Sequence, residues 1–268
     1  MKFVHLLSRL TGTYWLITDE ALENIAHLLE SRLIAGIALE PKVERVVPNA
    51  LSSANGTATI AIQGVIGKNL SPLEMACGGA DIGAIQAAFD QANADPAISA
   101  IHLAIDSPGG TVTGVPELAR HIYETKAKPV IARSDSMIGS AAYYLASAAD
   151  EIEVTPTTQV GSIGVVAQIR ETVDPKSADG RTRLRVFRSG SDKMMGTDAP
   201  LTKVQEEHMQ SRADYLGEMF RAFVTTSRPA IKAESMTGLT YFGADAVARG
   251  LADRVVPSLS AGTTYNAA

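Results

Sequence analysis

From residue 57 to residue 155 the chain alternates short apolar runs with small-residue stretches at helical spacing, and this alternation sets the fold class before any single motif is considered. Ala58-Thr59-Ile60-Ala61-Ile62 reads as a strand, 81–93 as a helix, 98–105 as a second strand and 113–125 as a helix. A buried strand over 129–133, a helix over 140–149 and a short strand over 152–155 complete the series. Connections this short predict an α/β core whose strands run largely parallel. Two turns punctuate it. Asp106-Ser107-Pro108-Gly109-Gly110 follows the second strand, and Ser136-Met137-Ile138-Gly139-Ser140-Ala141-Ala142 leads into the 140–149 helix.

Outside this core, residues 1–50 are expected to be helical. Thr18-Asp19-Glu20 would cap a stretch in which Ala21, Leu22, Ile25, Leu28 and Leu29 recur at helical spacing. Pro41, Pro48, Asn49 and residues 52–56 mark a linker. Downstream, 202–226 is a long amphipathic helix with Met209, Tyr215, Leu216, Met219, Phe220 and Phe223 as its packing face. The organisation expected is an N-terminal helical extension and linker over 1–56, a core domain over 57–257, and a small, polar, flexible tail over 258–268.

A chain of 268 residues, 46% of them hydrophobic, can bury a sizeable core. Its formal net charge of -5, with no basic block, argues against a nucleic-acid partner. The single Cys77 cannot form an intrachain disulfide, which fits a cytoplasmic setting. The apolar start is broken at Ser8 and Arg9 with no cleavage site behind it, so no signal peptide is expected. No apolar stretch approaches the ~20 residues a membrane helix needs, so no intrinsic membrane anchor is expected either. Without a His/Cys cluster at ligand spacing, no metal or organic cofactor is implied.

The two turns carry the chemistry. A serine following Gly139 and preceding Ala141-Ala142 is a good helix N-cap, and Ser140 has that structural use available to it. The alternative is a nucleophile at a helix N-terminus. There the Ala141 N–H is one donor for a developing oxyanion, and Gly109 or Gly110, lacking a Cβ, lets a second backbone N–H approach the same point. The Pro-Gly-Gly run also suits a plain turn.

A serine nucleophile needs a base, and the five histidines, His5, His27, His102, His121 and His208, leave 122–207 empty. His121 or His208 would have to approach through the fold. Lysine offers the other route, provided desolvation lowers its pKa from about 10.4 toward about 7, at a cost of ~4 kcal/mol. Lys193 lies in Phe187-Arg188-Ser189-Gly190-Ser191-Asp192-Lys193-Met194-Met195, after a strand-like 184–188, with methionines to dehydrate it. A lone lysine is more commonly a solvated surface residue. Between the two, Gly161-Ser162-Ile163-Gly164-Val165 presents Ser162 as a hydroxyl that orients the amine.

Taken together, Asp106-Ser107-Pro108-Gly109-Gly110, Gly139-Ser140-Ala141-Ala142, Thr158-Gln159-Val160-Gly161-Ser162-Ile163-Gly164-Val165 and Ser189-Gly190-Ser191-Asp192-Lys193 resemble the S49 peptidases, the group of signal peptide peptidase A and the phage capsid proteases. The resemblance covers about 57–256, including Tyr241-Phe242-Gly243-Ala244-Asp245-Ala246 and Arg249-Gly250-Leu251-Ala252-Asp253. Trp15-Leu16-Ile17-Thr18-Asp19-Glu20-Ala21-Leu22 is similar to the head region of phage-type members.

It implies a Clp protease/crotonase-like core of repeated β-β-α units and a serine endopeptidase with Ser140 and Lys193 as catalytic dyad. Ser162 would be the lysine's hydrogen-bonding partner, and Gly109, Gly110 and Ala141 would form the oxyanion hole. It implies protein or peptide substrates, a homo-oligomer and, without an anchor, the soluble branch that processes scaffold, portal or capsid proteins in the host cytoplasm or the phage prohead. No substantial downstream scaffold segment is expected. Signal-peptide-peptidase-like degradation of peptides, acyl-CoA chemistry on the crotonase pattern and an inactive assembly role are the competing expectations.

Overall fold

The computed structural model of the protein describes residues 14–18, 20–24, 50–70, 74–75, 78–167 and 202–259. Its centre is a six-stranded sheet, built from β2 (Leu51–Ala54), β3 (Thr57–Gln63), β6 (Ala100–Asp106), β8 (Val130–Ser134), β10 (Glu151–Val154) and β14 (Arg254–Val255). The order across the sheet is β14-β10-β8-β6-β3-β2. Every pairing is parallel except the edge pair β2 and β3. Period-two burial sets the register of β3, where Ala58, Ile60 and Ile62 point into the core.

The repeating unit is β-β-α. The first strand of each unit stays in the central sheet, and the second leaves it. β4 (Ile66–Gly67), β5 (Ala80–Asp81) and β7 (Gly109–Thr111) join a five-stranded sheet with β1 (Tyr14–Ile17) and β12 (Val166–Ala167), in the order β12-β1-β7-β4-β5. β9 (Met137–Gly139), β11 (Gln159–Gly161) and β13 (Thr240–Phe242) form a third sheet, β13-β11-β9. Helices close the units: α1 (Ile82–Ala94), α2 (Val115–Thr125) and α3 (Ala141–Ala146). Asp81 caps α1 by accepting the Ala84 N–H at 3.1 Å, and Pro116 sits where α2 has no hydrogen bond to lose.

After residue 201, α4 (Lys203–Ser227) begins on a capping box. Thr202 Oγ1 accepts from the Gln205 N–H and Gln205 Oε1 accepts from the Thr202 N–H, at 3.3 and 2.9 Å. A short helix, α5 (Gly243–Ala248), leads back to β14.

The parallel α/β core is as the strand and helix periodicities predict. Three expectations change. Tyr14–Ile17, expected to be helical, is a strand buried along its whole length, as four adjacent β-favouring apolar residues between two strands require. The helical cap that follows it holds, with residues 20–24 helical and the Leu22 N–H donating to the Thr18 carbonyl at 3.0 Å. The expected linker over 52–56 is instead a hairpin, because Asn55 and Gly56 both adopt positive φ, 51° and 75°, and turn β2 onto β3.

The packing face of α4 is also narrower than its sequence suggests. Phe220 and Val224 are buried, whereas Tyr215 is 63% exposed, and the earlier turns meet the rest of the molecule at Gln205, which is buried, and at Met209, whose carbonyl accepts from the Tyr14 hydroxyl at 3.2 Å. Tyr144 of α3 makes that junction, stacking on Phe220 and Phe223 at centroid distances of 4.5 and 5.0 Å. The helical positions Ile25, Leu28 and Leu29, the linker prolines Pro41 and Pro48, Cys77, the 184–188 strand and most of the tail lie outside the described residues.

Candidate active site

The turn that leads into β7 lies beside β9, β9 lies beside β11, and the backbone joins them. The Ser107 N–H donates to the Met137 carbonyl at 3.0 Å, and the Gly139 N–H returns to the Ser107 carbonyl at 2.9 Å. Gly139 is the register partner of Gly161, and the Ser140 N–H donates to the Gly161 carbonyl at 2.8 Å. Ser162 follows directly, its own N–H bound to the Leu239 carbonyl at 2.8 Å. The structure thus brings together the Asp-Ser-Pro-Gly-Gly turn, Ser140, Ala141 and Ser162.

Ser140 and Ser162 share a backbone feature. Both are non-glycine residues in the left-handed region, with φ of 50° and 56°. Such a conformation costs of order 1–3 kcal/mol and persists only where the surroundings impose it. Here the imposition comes from the parallel pairing of β9 and β11, which ends at Gly139 and Gly161 and forces each chain to turn sharply at the next residue.

The helix-capping use of Ser140 is not realised. With φ 50° and ψ -109° its backbone is not that of an ordinary cap, and its side chain makes no capping hydrogen bond. The residue is fully buried, and Oγ has no hydrogen-bond partner among the described residues. A buried hydroxyl left unpaired costs about 1–3 kcal/mol, so it marks a position held for something other than stability. Ala141 opens α3, and its N–H has no carbonyl acceptor within the helix.

Ser107 is the residue that sequence reasoning passed over. Fully buried, it donates its hydroxyl to the Gly64 carbonyl at 2.6 Å and accepts the Gly109 N–H at 3.1 Å. It fixes the shape of the turn from inside. The signal was available, because a serine two residues before the first glycine of a turn is placed to bond that glycine's N–H. As a result the Gly109 N–H is engaged within its own turn, while Gly110 lies in β7 between Leu16 of β1 and Ile66 of β4.

Lys193 lies outside the described residues, as do His5 and His27. Of the other histidines, His121 Nε2 bonds Asp90 Oδ1 at 2.6 Å across α1 and α2, and His208 sits on an exposed part of α4. His102 is half-buried on β6, where burial first and the Arg133 guanidinium second hold it below the ordinary imidazole value of 6.5. No hydrogen bond joins any of these to Ser140. Among the described residues no cluster of His, Cys, Asp or Glu is arranged to hold a metal ion, and no helix is long and apolar enough to cross a membrane.

Comparison with known proteins adds the family. The model described as peptidase family S49 matches residues 123–266. Capsid assembly protease C of Escherichia phage lambda is 32% identical over 77% of this chain and 48% of the phage protein. Head-tail preconnector protein GP5 of Enterobacteria phage P21 is 30% identical over 83% of this chain and 44% of its own. Protease 4 of Salmonella typhi is 30% identical over 60% of this chain and 27% of that protein. The chain thus spans about half the length of the two phage relatives.

Proposed function

The chain belongs to peptidase family S49, and from that premise we propose that it is a serine endopeptidase acting through Ser140 and Lys193. The observation that carries the proposal is the state of Ser140: strained at φ 50°, unpartnered at Oγ among the described residues, unused as a cap and one residue from the opening N–H of α3. Structural economy does not account for that combination, whereas nucleophilic catalysis does.

In this mechanism Ser140 Oγ attacks the substrate carbonyl carbon as its proton passes to the neutral Lys193 amine. The oxyanion is held by the Ala141 N–H and by the Gly109 N–H, which leaves Ser107 Oγ to reach it, because the Gly110 N–H pairs with the strand beside β7. The tetrahedral intermediate then expels the amine, which takes its proton from Lys193 and leaves an ester on Ser140. Water, deprotonated by the same lysine, cleaves that ester. Ser162 orients the lysine amine. The support for Ser162 is its position, since it occupies on β11 the place that Ser140 occupies on β9. Support for Lys193 is the Ser189-Gly190-Ser191-Asp192-Lys193 signature.

The names of the two phage relatives support a role in head-protein processing, with scaffold, portal or capsid protein as substrate. Self-association of the chain is part of the same proposal. The direct experiment is mass spectrometry of candidate head proteins after incubation with the purified chain and with Ser140→Ala. Wild type should generate defined fragments. Ser140→Ala should lose at least a thousandfold in rate while keeping its melting temperature within about 2 °C, because removing a hydroxyl with no partner opens almost no cavity. Equal cleavage by a folded Ser140→Ala sample would remove Ser140 from this role.

A further inference from the structure

Ser140 is fully buried, so a peptide carbonyl reaches it only if part of the protein gives way. The structure indicates which part. β1 lies between β7 and β12, antiparallel to both, with Trp15 opposite Thr111 on one side and Val166 on the other. The Thr18 N–H donates to the Pro108 carbonyl at 3.0 Å and the Val112 N–H to the Tyr14 carbonyl at 3.3 Å. The alternation of an antiparallel ladder then puts Leu16 at the hydrogen-bonding position opposite Gly110. Gly109 is what admits the strand, since a Cβ there would stand 2.1 Å from the Leu16 carbonyl oxygen.

The strand runs toward the nucleophile. At its C-terminal end, Thr18 Cγ2 lies 3.1 Å from where a Cβ on Gly139 would sit, one residue before Ser140. Its packing is that of an addition to the core. Trp15 and Ile17 form a small cluster with Leu22 against Val65 and Val166, apart from the main core, and only Leu16 faces inward. Trp15 Nε1 is buried with no acceptor among the described residues.

We propose that β1 is an exchangeable strand, which fills the slot between β7 and β12 that an extended peptide enters and leaves it when that peptide binds. The proposal rests on the peptidase reading above. A peptide taking the place and direction of β1 pairs with Gly110 and presents the residues before its scissile bond. Apolar side chains at its alternate positions meet Val65 and Val166, as Trp15 and Ile17 do.

Trp15 is the chain's single tryptophan, so its fluorescence reports on β1 alone. The probe is a synthetic peptide of residues 11–18 carrying Trp15→Phe, titrated into full-length Ser140→Ala with binding followed by calorimetry. Saturation should shift the Trp15 emission to longer wavelength and raise acrylamide quenching at least threefold. In a second arm, full-length Leu16→Asp should cleave fluorescein-labelled casein about tenfold faster than wild type at low substrate. If Leu16→Asp fails to fold, the fluorescence arm decides alone. An absence of binding, or binding with Trp15 still buried, overturns the exchange. If Ser140→Ala cleaves casein as wild type does, the peptidase reading falls instead; if only wild type cleaves and Trp15 stays buried, the exchange falls alone.

Discussion

At the scale of single residues, the base and the half-buried histidine both favour higher pH, the first for activity and the second for stability. Lys193→Arg should lose nearly all hydrolysis although it keeps the positive charge, because a guanidinium stays protonated and cannot accept the Ser140 proton. Wild-type kcat/KM should rise with pH as the lysine amine loses its proton. Substantial turnover by Lys193→Arg in a peptide-cleavage assay would turn attention to the histidines. His102 acts on stability. Burial and Arg133 hold it below 6.5 in the folded protein, so as pH falls through 6.5 the unfolded chain takes up a proton that the folded chain refuses. Stability should therefore decline below pH 6.5 toward the folded-state value and show no contribution from this group above it. Melting temperatures of His102→Gln between about pH 7 and 5 should show a shallower acid slope than wild type.

At the scale of elements, the central sheet is tied across its strands by charge as well as by backbone. Glu153 on β10 is 3% exposed and lies between Arg133 of β8, at 2.5 Å, and Arg254 of β14. Parallel register sets the three opposite one another. Arg254 is 54% exposed and also pairs with Glu151 at 2.9 Å, so removing Glu153 strands chiefly the largely buried Arg133, and Glu153→Ala should cost about 3 kcal/mol in denaturant unfolding. A loss under about 1 kcal/mol would show that water reaches the arginines.

This triad was not legible in the sequence, because register between strands far apart in the chain fixes it. The strands and helices of the core were legible, since Ala58, Ile60 and Ile62 or Ile101, Leu103 and Ile105 carry their periodicity locally. β4, β7, β9 and β11 are too short for a period to show. Their glycines read as turns, whereas Gly109, Gly110, Gly139 and Gly161 lie in short strands that pair with their neighbours. Ser140, Ser162 and the Asp-Ser-Pro-Gly-Gly turn were found because each is a compact motif. Their common left-handed backbone appears only once Gly139 is set beside Gly161.

For the whole molecule, α4 is the largest element not absorbed by the core. Val204 and Tyr215 remain 62% and 63% exposed along it. Self-association through this face would explain apolar residues that the core does not use. Light scattering should give a mass that is a multiple of the single chain under assay conditions, and Tyr215→Glu should reduce it. A single-chain mass at full activity would reject the idea.

The succession of β-β-α units has a consequence for how such a site can arise. Ser140 and Ser162 stand at one and the same place in consecutive units, each directly after the last paired glycine of its second strand. The proposed nucleophile and its helper thus occupy equivalent turns of two successive units, with φ of 50° and 56°. A fold built from repeated units can in this way offer a second serine on a similarly bent backbone one strand away from the first, so that of the three proposed groups the base is the one the repeat does not supply.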